Sequence, residues 1–204
     1  MAIRRADMRR TKQAAAESRD AIVDMASRLF RERGFEGVGV ADIMAAAGMT
    51  HGGFYRHFAS KEALIVEAME TAFETKARDL EAEAHAQCIE KMRNYITHYL
   101  SAGHAKRVGD GCPIAALGSE APHAGAAVTE VFAKGVERLI GALSAAVDEP
   151  SPDDRRSAMR LLSTLVGAII VARATGSPDL QDEVLSAVRA DPLIARMIAA
   201  PERR

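Results

Sequence analysis

Between Thr50 and Lys61 the chain reads THGGFYRHFASK, which gathers His51, Tyr55, Arg56, His57 and Lys61 around the pair Gly52-Gly53. These side chains are hydrogen-bond donors and cations, and no carboxylate stands among them. That inventory suits contact with phosphate oxygens and base edges. Two adjacent glycines let a backbone come close to a grooved partner. Phe54 and Phe58 are four apart and fall on one helical face, which leaves Tyr55 pointing outward; a core role for Tyr55 is the alternative. His57, between aromatics, reads as a phosphate contact or as a packing residue.

Such a set works only if a short helix is braced by others. Ile22, Val23, Ala26, Leu29 and Phe30 form the apolar stripe of a helix over 18–33, which Gly34 stops after Arg31 and Arg33. A short helix over 40–47 turns Val40, Ile43, Met44 and Ala47 inward and ends at Gly48. Thr50 is placed to cap a third helix over 51–58, and Ser60 to cap a long fourth over 60–83. Two helices joined by a tight glycine turn allow the second to enter a major groove about 12 Å wide while the first supports it. Residues 1–16, with Arg4, Arg5, Arg9, Arg10 and Lys12 against Asp7, read as a basic arm that is either a solvated tail or reaches a minor groove.

Composition and charge agree. Hydrophobic residues make up 48% of the 204 residues but aromatics only 4%, with no Trp, which favours packed helices over strands. The net charge of −1 hides a division: residues 1–62 hold eleven Lys and Arg against eight Asp and Glu, and the remainder sixteen against twenty. Helical patterns continue over 86–102, 113–121, 126–147, 153–174 and 179–190, with loops at 103–111 and 149–152, and strand alternation is absent. The expected fold class is therefore all-α. Three segments divide it: an arm at 1–16, a helix-turn-helix domain at 17–62 and a larger helical domain at 63–204. The longest apolar stretch, 161–172, is broken by Ser163, Thr164 and Gly167 and reads as too short to span a bilayer. With two cysteines, Cys88 and Cys112, the chain reads as cytoplasmic.

The run GFEGVGVADIMAAAGMTHGGFYRHFASKEAL, residues 34–64, resembles the DNA-binding domain of the TetR family of bacterial transcription regulators. The resemblance rests on Gly34, on Val40 before Asp42-Ile43, on Ala47-Gly48, and on Phe54-Tyr55-x-His57-Phe58-x-Ser60-Lys61-Glu62. It implies that Thr50 caps the recognition helix and touches phosphate, that His51, Gly52 and Gly53 meet base edges, and that Tyr55, His57 and Lys61 hold phosphates. Arg56 joins the same surface. At the start of the second helix this chain has Gly39 and Val40 where family members carry Thr or Ser, and Ala41 where some carry a longer base reader. Sequence reading therefore falls more heavily on His51, Gly52, Gly53 and the arm.

The resemblance also implies a helical effector domain, a homodimer and a palindromic operator whose half-sites lie about 34 to 36 Å apart. Pocket candidates are Met92, Tyr95, Ile96 and Tyr99, then Ile114 and Leu117, then Phe132, Val136 and Leu139, each with ordinary core packing as the alternative. Tyr95 and Tyr99 stand out because a buried phenol needs a partner. Apolar residues around the helix over 153–174 give Leu161, Leu165 and Ile169 as dimer contacts, joined by Val184, Leu185 and Val188. Cys112, just before Pro113 at a predicted helix start, is either a thiol that senses electrophiles or oxidants or a small buried residue; Cys88 reads as inert. No ligand spacing for a metal, no cofactor motif and no catalytic motif is present. The expectation is a repressor released by a small-molecule effector. An activator, a thiol-based sensor and an all-α ligand-binding protein without DNA binding are the alternatives.

Overall fold

A computed structural model describes the backbone of residues 2–84, 88–145, 152–192 and 194–195, and the side chains of 13–81, 92–145, 154–192 and 194–195. Nine α-helices are present among them: α1 (Ala2–Arg33), α2 (Val40–Ala46), α3 (Lys61–Ala84), α4 (Cys88–Tyr99), α5 (Ala102–Lys106), α6 (Pro113–Leu117), α7 (Ala126–Ala145), α8 (Pro152–Ala174) and α9 (Pro178–Arg189). Two 3-10 segments, His51–Arg56 and Ala121–His123, complete the order, and no strand occurs among the described residues.

The expected boundary between arm and first helix does not appear in the backbone, because α1 is continuous from Ala2. Residues 1–16 contain neither Gly nor Pro and are rich in Ala, Arg, Met and Gln, all strong helix formers, so the helix propagates backward without an apolar stripe. The arginines of that stretch up to Arg10, and Lys12, lie outside the described side chains. At the other end Gly34 adopts φ 79° and its N–H reaches the Phe30 carbonyl at 2.8 Å, the left-handed stop its position predicts. Further along, the loop expected at 103–111 contains α5, whose start is capped by Ser101 accepting from the His104 N–H at 3.1 Å. The helix expected at 113–121 ends at Leu117.

Two packed regions share α3. At its N-terminal end α1, α2 and the 3-10 segment close over Ile22, Phe30, Ile43, Met44, Phe54, Phe58 and Leu64. Further along, α3 lies against α7, and the closest approach is made by Gly135. A Cβ there would stand 2.2 Å from Cγ of Phe73, whose ring is fixed edge-on to Phe132 at 5.1 Å. Gly135→Ala is therefore expected to destabilise the fold. Overpacking costs about 1–3 kcal/mol, which exceeds the roughly 1 kcal/mol that alanine gains over glycine in a helix. Urea denaturation measures it, and adding Phe73→Leu should return part of the loss if the contact is the cause.

Helix α8 bears on two expectations. Residues Asp154–Ala174 are long and apolar enough by composition to cross a membrane, with a mean hydropathy of 1.5, although Arg160 and Arg173 bound the uncharged stretch 161–172. Its inner face is nevertheless a core face: Leu161, Leu165 and Ile169 are buried against the chain's own helices, as is Leu185 of α9. Those four fill that core, and Val184 and Val188 are half-buried against it. The apolar residues α8 and α9 leave exposed are Met159, Ile170, Val171 and Leu180. The buried residues of α8, from Ala158 through Leu161, Leu165 and Ile169 to Ala172, form one stripe, and Ile170 and Val171 add apolar residues to the opposite face.

Candidate nucleic-acid interface and effector cavity

The segment expected as an α-helix over 51–58 is a 3-10 helix from His51 to Arg56, with His57 closing it through its N–H to the Phe54 carbonyl at 2.8 Å. In a 3-10 helix residues three apart line up, so Gly52 shares a row with Tyr55 and Gly53 with Arg56. Phe54 and Phe58 turn inward, stacked with centroids 5.6 Å apart. That leaves Tyr55 71% exposed, an outward aromatic without a core role. His51, Gly52 and Arg56 are exposed as well, while Gly53, His57 and Lys61 are half-buried. A Cβ on Gly52 would meet nothing within 4 Å, so the absence of a side chain serves no internal packing.

Thr50 corrects a further expectation: it precedes the segment in extended conformation, but its hydroxyl makes no capping hydrogen bond. Its carbonyl accepts from the Gly53 N–H at 3.0 Å instead. Ser60 does cap α3, accepting from the Ala63 N–H at 3.1 Å. At α2 the missing hydroxyl is offset by Asp42, whose carboxylate accepts from the Gly39 N–H at 3.0 Å. Two residues that sequence reading missed lock this unit together. Arg19 of α1 lies 4.4 Å over the Phe58 ring and pairs with Glu67 of α3. Nothing local signals a contact 48 residues away.

In the larger domain a cavity of about 680 Å³ opens between α3, α4, α5 and α7. Of the residues expected to line a pocket, Tyr95, Tyr99 and Leu139 do so, together with Cys112. Ile96, Leu117 and Phe132 belong to the core, and Met92, Ile114 and Val136 pack against it. The lining that sequence reading missed is polar: Lys76, Asp79, Asn94, His98, His104, Arg107 and Asp110. Core and cavity positions recruit the same apolar residue types, so periodicity alone could not divide them.

His104 organises the cavity floor. Its Nδ1–H donates to the Tyr99 carbonyl at 2.8 Å, and its Nε2 accepts from the Cys112 N–H at 3.3 Å. Burial pulls its pKa down to about 4, against the opposing effect of the Tyr99 bond, so the ring is a neutral clamp at neutral pH. Both nitrogens are occupied, which leaves none to take a proton from the Cys112 thiol. The unfolded chain, with histidine near 6.5, binds the extra proton first. Stability is therefore expected to be complete above that value and to fall as pH drops through about 4. The shift corresponds to about 3 kcal/mol at the acid limit. Denaturation midpoints from pH 7 to pH 4 measure it, and His104→Gln should flatten this part of the profile.

The segment carrying Cys112 is tied to both ends of the molecule. Arg31 of α1 donates to the Gly111 carbonyl at 3.1 Å, and Arg173 of α8 donates to the carbonyls of Ala105 at 3.0 Å and His104 at 3.2 Å. Nearby, Glu120 accepts from the Phe35 N–H at 2.8 Å, at the exit of α1. The cavity floor thus touches α1 directly, and α1 packs on α2, the helix that lies against the 3-10 segment. No group of His, Cys, Asp and Glu placed to hold a metal ion occurs among the described residues. Cys88 lies outside the described side chains.

These features define an all-helical protein with a small helix-turn-helix unit joined to a larger domain that encloses a cavity. Residues 22–68 match the family described as bacterial regulatory proteins, tetR family. That match covers the helix-turn-helix unit and not the larger domain. It is 36% identical over 96 residues to the HTH-type transcriptional regulator AcrR of Shigella flexneri, covering 45% of this chain and 44% of that one. The chain thus spans less than half the length of that curated relative. The fold is shared throughout with the reduced form of Escherichia coli NemR, at a TM-score of 0.71 and 22% identity over 92% of this chain and 100% of that one. AibR, solved in complex with isovaleryl coenzyme A and operator DNA, gives a TM-score of 0.55 at 23% identity over 84% of this chain and 96% of that one.

Proposed function

We propose that the protein is a cytoplasmic, homodimeric transcriptional repressor that binds a palindromic operator and is released by a small molecule in the cavity. The observation that carries this reading is the outward face of the 3-10 segment. There a side chain as apolar as Tyr55 stands exposed beside an open Gly52, with His51 and Arg56 next to it and no acidic residue in the run. In this reading His51, Gly52 and Gly53 meet base edges, while Thr50, Tyr55, Arg56, His57 and Lys61 hold phosphates. Met159, Ile170, Val171 and Leu180 face the second protomer. Release follows if the effector favours a position of the Gly111 carbonyl that Arg31 cannot keep while α1 stays in its DNA-binding pose. The named functions of AcrR and the ligands of AibR lend support by analogy.

Selection of bound duplexes from a random pool tests the proposal. A recovered palindrome whose affinity falls steeply with salt supports it. Failure to enrich any duplex favours the reading as a ligand-binding protein without DNA binding. A second reading, release through attack of the Cys112 thiol on an electrophile, is favoured by the position of Cys112 in the cavity wall. If Cys112→Ser still releases DNA normally on electrophile treatment, that reading fails.

A further inference from the structure

The charges around the cavity do not cancel. Lys76 and Arg107 line it together with Asp79 and Asp110, and both carboxylates already answer to other cations of the chain. Asp79 stands 3.9 Å from Lys76, and Asp110 acts on Arg28 and Arg31 of α1. That leaves Arg107 unanswered. It is exposed just past the end of α5, and its guanidinium has neither a hydrogen bond nor an ion pair among the described residues. Behind the floor a second arginine adds to the excess. Arg173 is half-buried and donates to the carbonyls of Ala105 and His104, and among the described residues no carboxylate acts on its charge. The excess reaches the floor itself, because the charges that bear most on the His104 ring are those of Arg173, His98 and Lys76, and all three oppose its protonation. A positive potential in a partly enclosed space favours an anionic ligand.

The walls define the remainder of the ligand. Rings of Tyr95, His98, Tyr99 and His104 line the same space, with Tyr95 and Tyr99 centred 5.8 Å apart and Tyr99 edge-on to His104 at 4.4 Å. Flat rings and the apolar side of Leu139 accept a flat partner, and about 680 Å³ is room for a molecule of several rings. Asp79 and Asp110 share the lining with Arg107 and repel a second negative charge, so a monoanion fits better than a dianion such as a phosphate monoester. A carboxylate also matches the fork of a guanidinium, which can donate two parallel hydrogen bonds to its oxygens.

We propose that the cavity takes a planar aromatic monocarboxylate, whose carboxylate pairs with the guanidinium of Arg107 while its rings lie among those of Tyr95, His98 and Tyr99. This names the chemical class of the effector and rests on the reading of the cavity as the effector site.

Calorimetric titration of the full-length protein with 1-naphthoate, the uncharged 1-naphthamide and the cationic 1-naphthylmethylammonium tests it. The carboxylate is expected to bind most tightly and the cation most weakly. Arg107→Gln should weaken naphthoate roughly fivefold to tenfold, between the worth of a solvated ion pair and that of a charge-assisted hydrogen bond, and leave the amide unchanged. Arg107→Lys should keep part of the preference. Because the Arg107 side chain holds no other group in place, the denaturation midpoint of either variant without ligand should stay that of the parent protein. Amide binding as tight as that of naphthoate, equal loss for both in Arg107→Gln, naphthoate affinity unchanged by that substitution, or no binding of any probe would overturn the inference. Operator binding measured alongside separates the two levels. Arg107-dependent naphthoate binding that leaves the DNA complex intact upholds the ligand class and contradicts the effector role.

Discussion

Replacing Tyr55 and Lys61 together by alanine is expected to weaken operator binding roughly 100-fold or more while the protein stays folded. Each side chain offers one donor to a phosphate oxygen, and a hydrogen bond to a charged group contributes about 1.5–3 kcal/mol, so two lost bonds amount to at least two decades of affinity. Neither change disturbs the core. Tyr55 projects into solvent, and Lys61 follows the Ser60 cap, which the substitution leaves in place. The Lys61 change alone should lower the salt dependence by about one unit of slope, since one phosphate neutralisation is lost. Electrophoretic mobility shifts across a salt series measure both effects. Affinity within threefold of the parent protein would show that the exposed row of Gly52 and Tyr55 does not face DNA.

Phe54→Ala is expected to act by the opposite route, costing about 3–5 kcal/mol of stability. Phe54 is 1% exposed, stacks on Phe58 and meets the Tyr55 ring edge-on at 5.2 Å. Phe58 in turn carries Arg19 over its face. A cavity here removes the surface that sets the pitch of the 3-10 segment, so DNA binding should fall with stability. Phe54→Leu, which retains most of the volume, should recover most of both. Urea denaturation followed by circular dichroism measures the first, and mobility shift the second. A Phe54→Ala protein as stable as the parent would place the ring outside the core.

How much of this was legible in the sequence depends on the range of the forces involved. The helix-turn-helix was readable because its signals are local: the stripe from Ile22 to Phe30, the stop at Gly34, the turn at Gly48 and the inward pair Phe54 and Phe58. Its finer geometry was not. The tightening of residues 51–56 into a 3-10 helix and the idle Thr50 hydroxyl depend on tertiary packing, chiefly of α2 against the segment. The backward extension of α1 could have been read from propensity, since no breaker interrupts residues 1–33. Ser101, as a cap, was the available signal for α5.

The larger domain was legible as helices but not as surfaces. Leu161, Leu165 and Ile169 were expected to meet a partner and instead fill the chain's own core, because an apolar stripe reads the same in sequence whichever surface covers it. Ile96, Leu117 and Phe132 were expected in the pocket for the same reason, whereas Tyr95 and Tyr99 were found by their phenols, which demand partners that aliphatic side chains do not. The residues that join the cavity region to the helix-turn-helix unit, Arg31 with Gly111 and Glu120 with Phe35, are 80 and 85 positions apart and leave no trace in any local pattern.

Methylation-interference footprinting of the selected operator tests the central claim most directly. Two copies of the His51–Arg56 segment in successive major grooves predict two blocks of interfering guanines on one face of the duplex, with centres about one helical turn, or roughly 10 base pairs, apart or a multiple of it. His51→Ala should alter the preferred bases within both blocks and leave the spacing unchanged. A single block, interference confined to the minor groove, or a base preference unaffected by His51→Ala would contradict the assignment of this segment as the reader of the sequence.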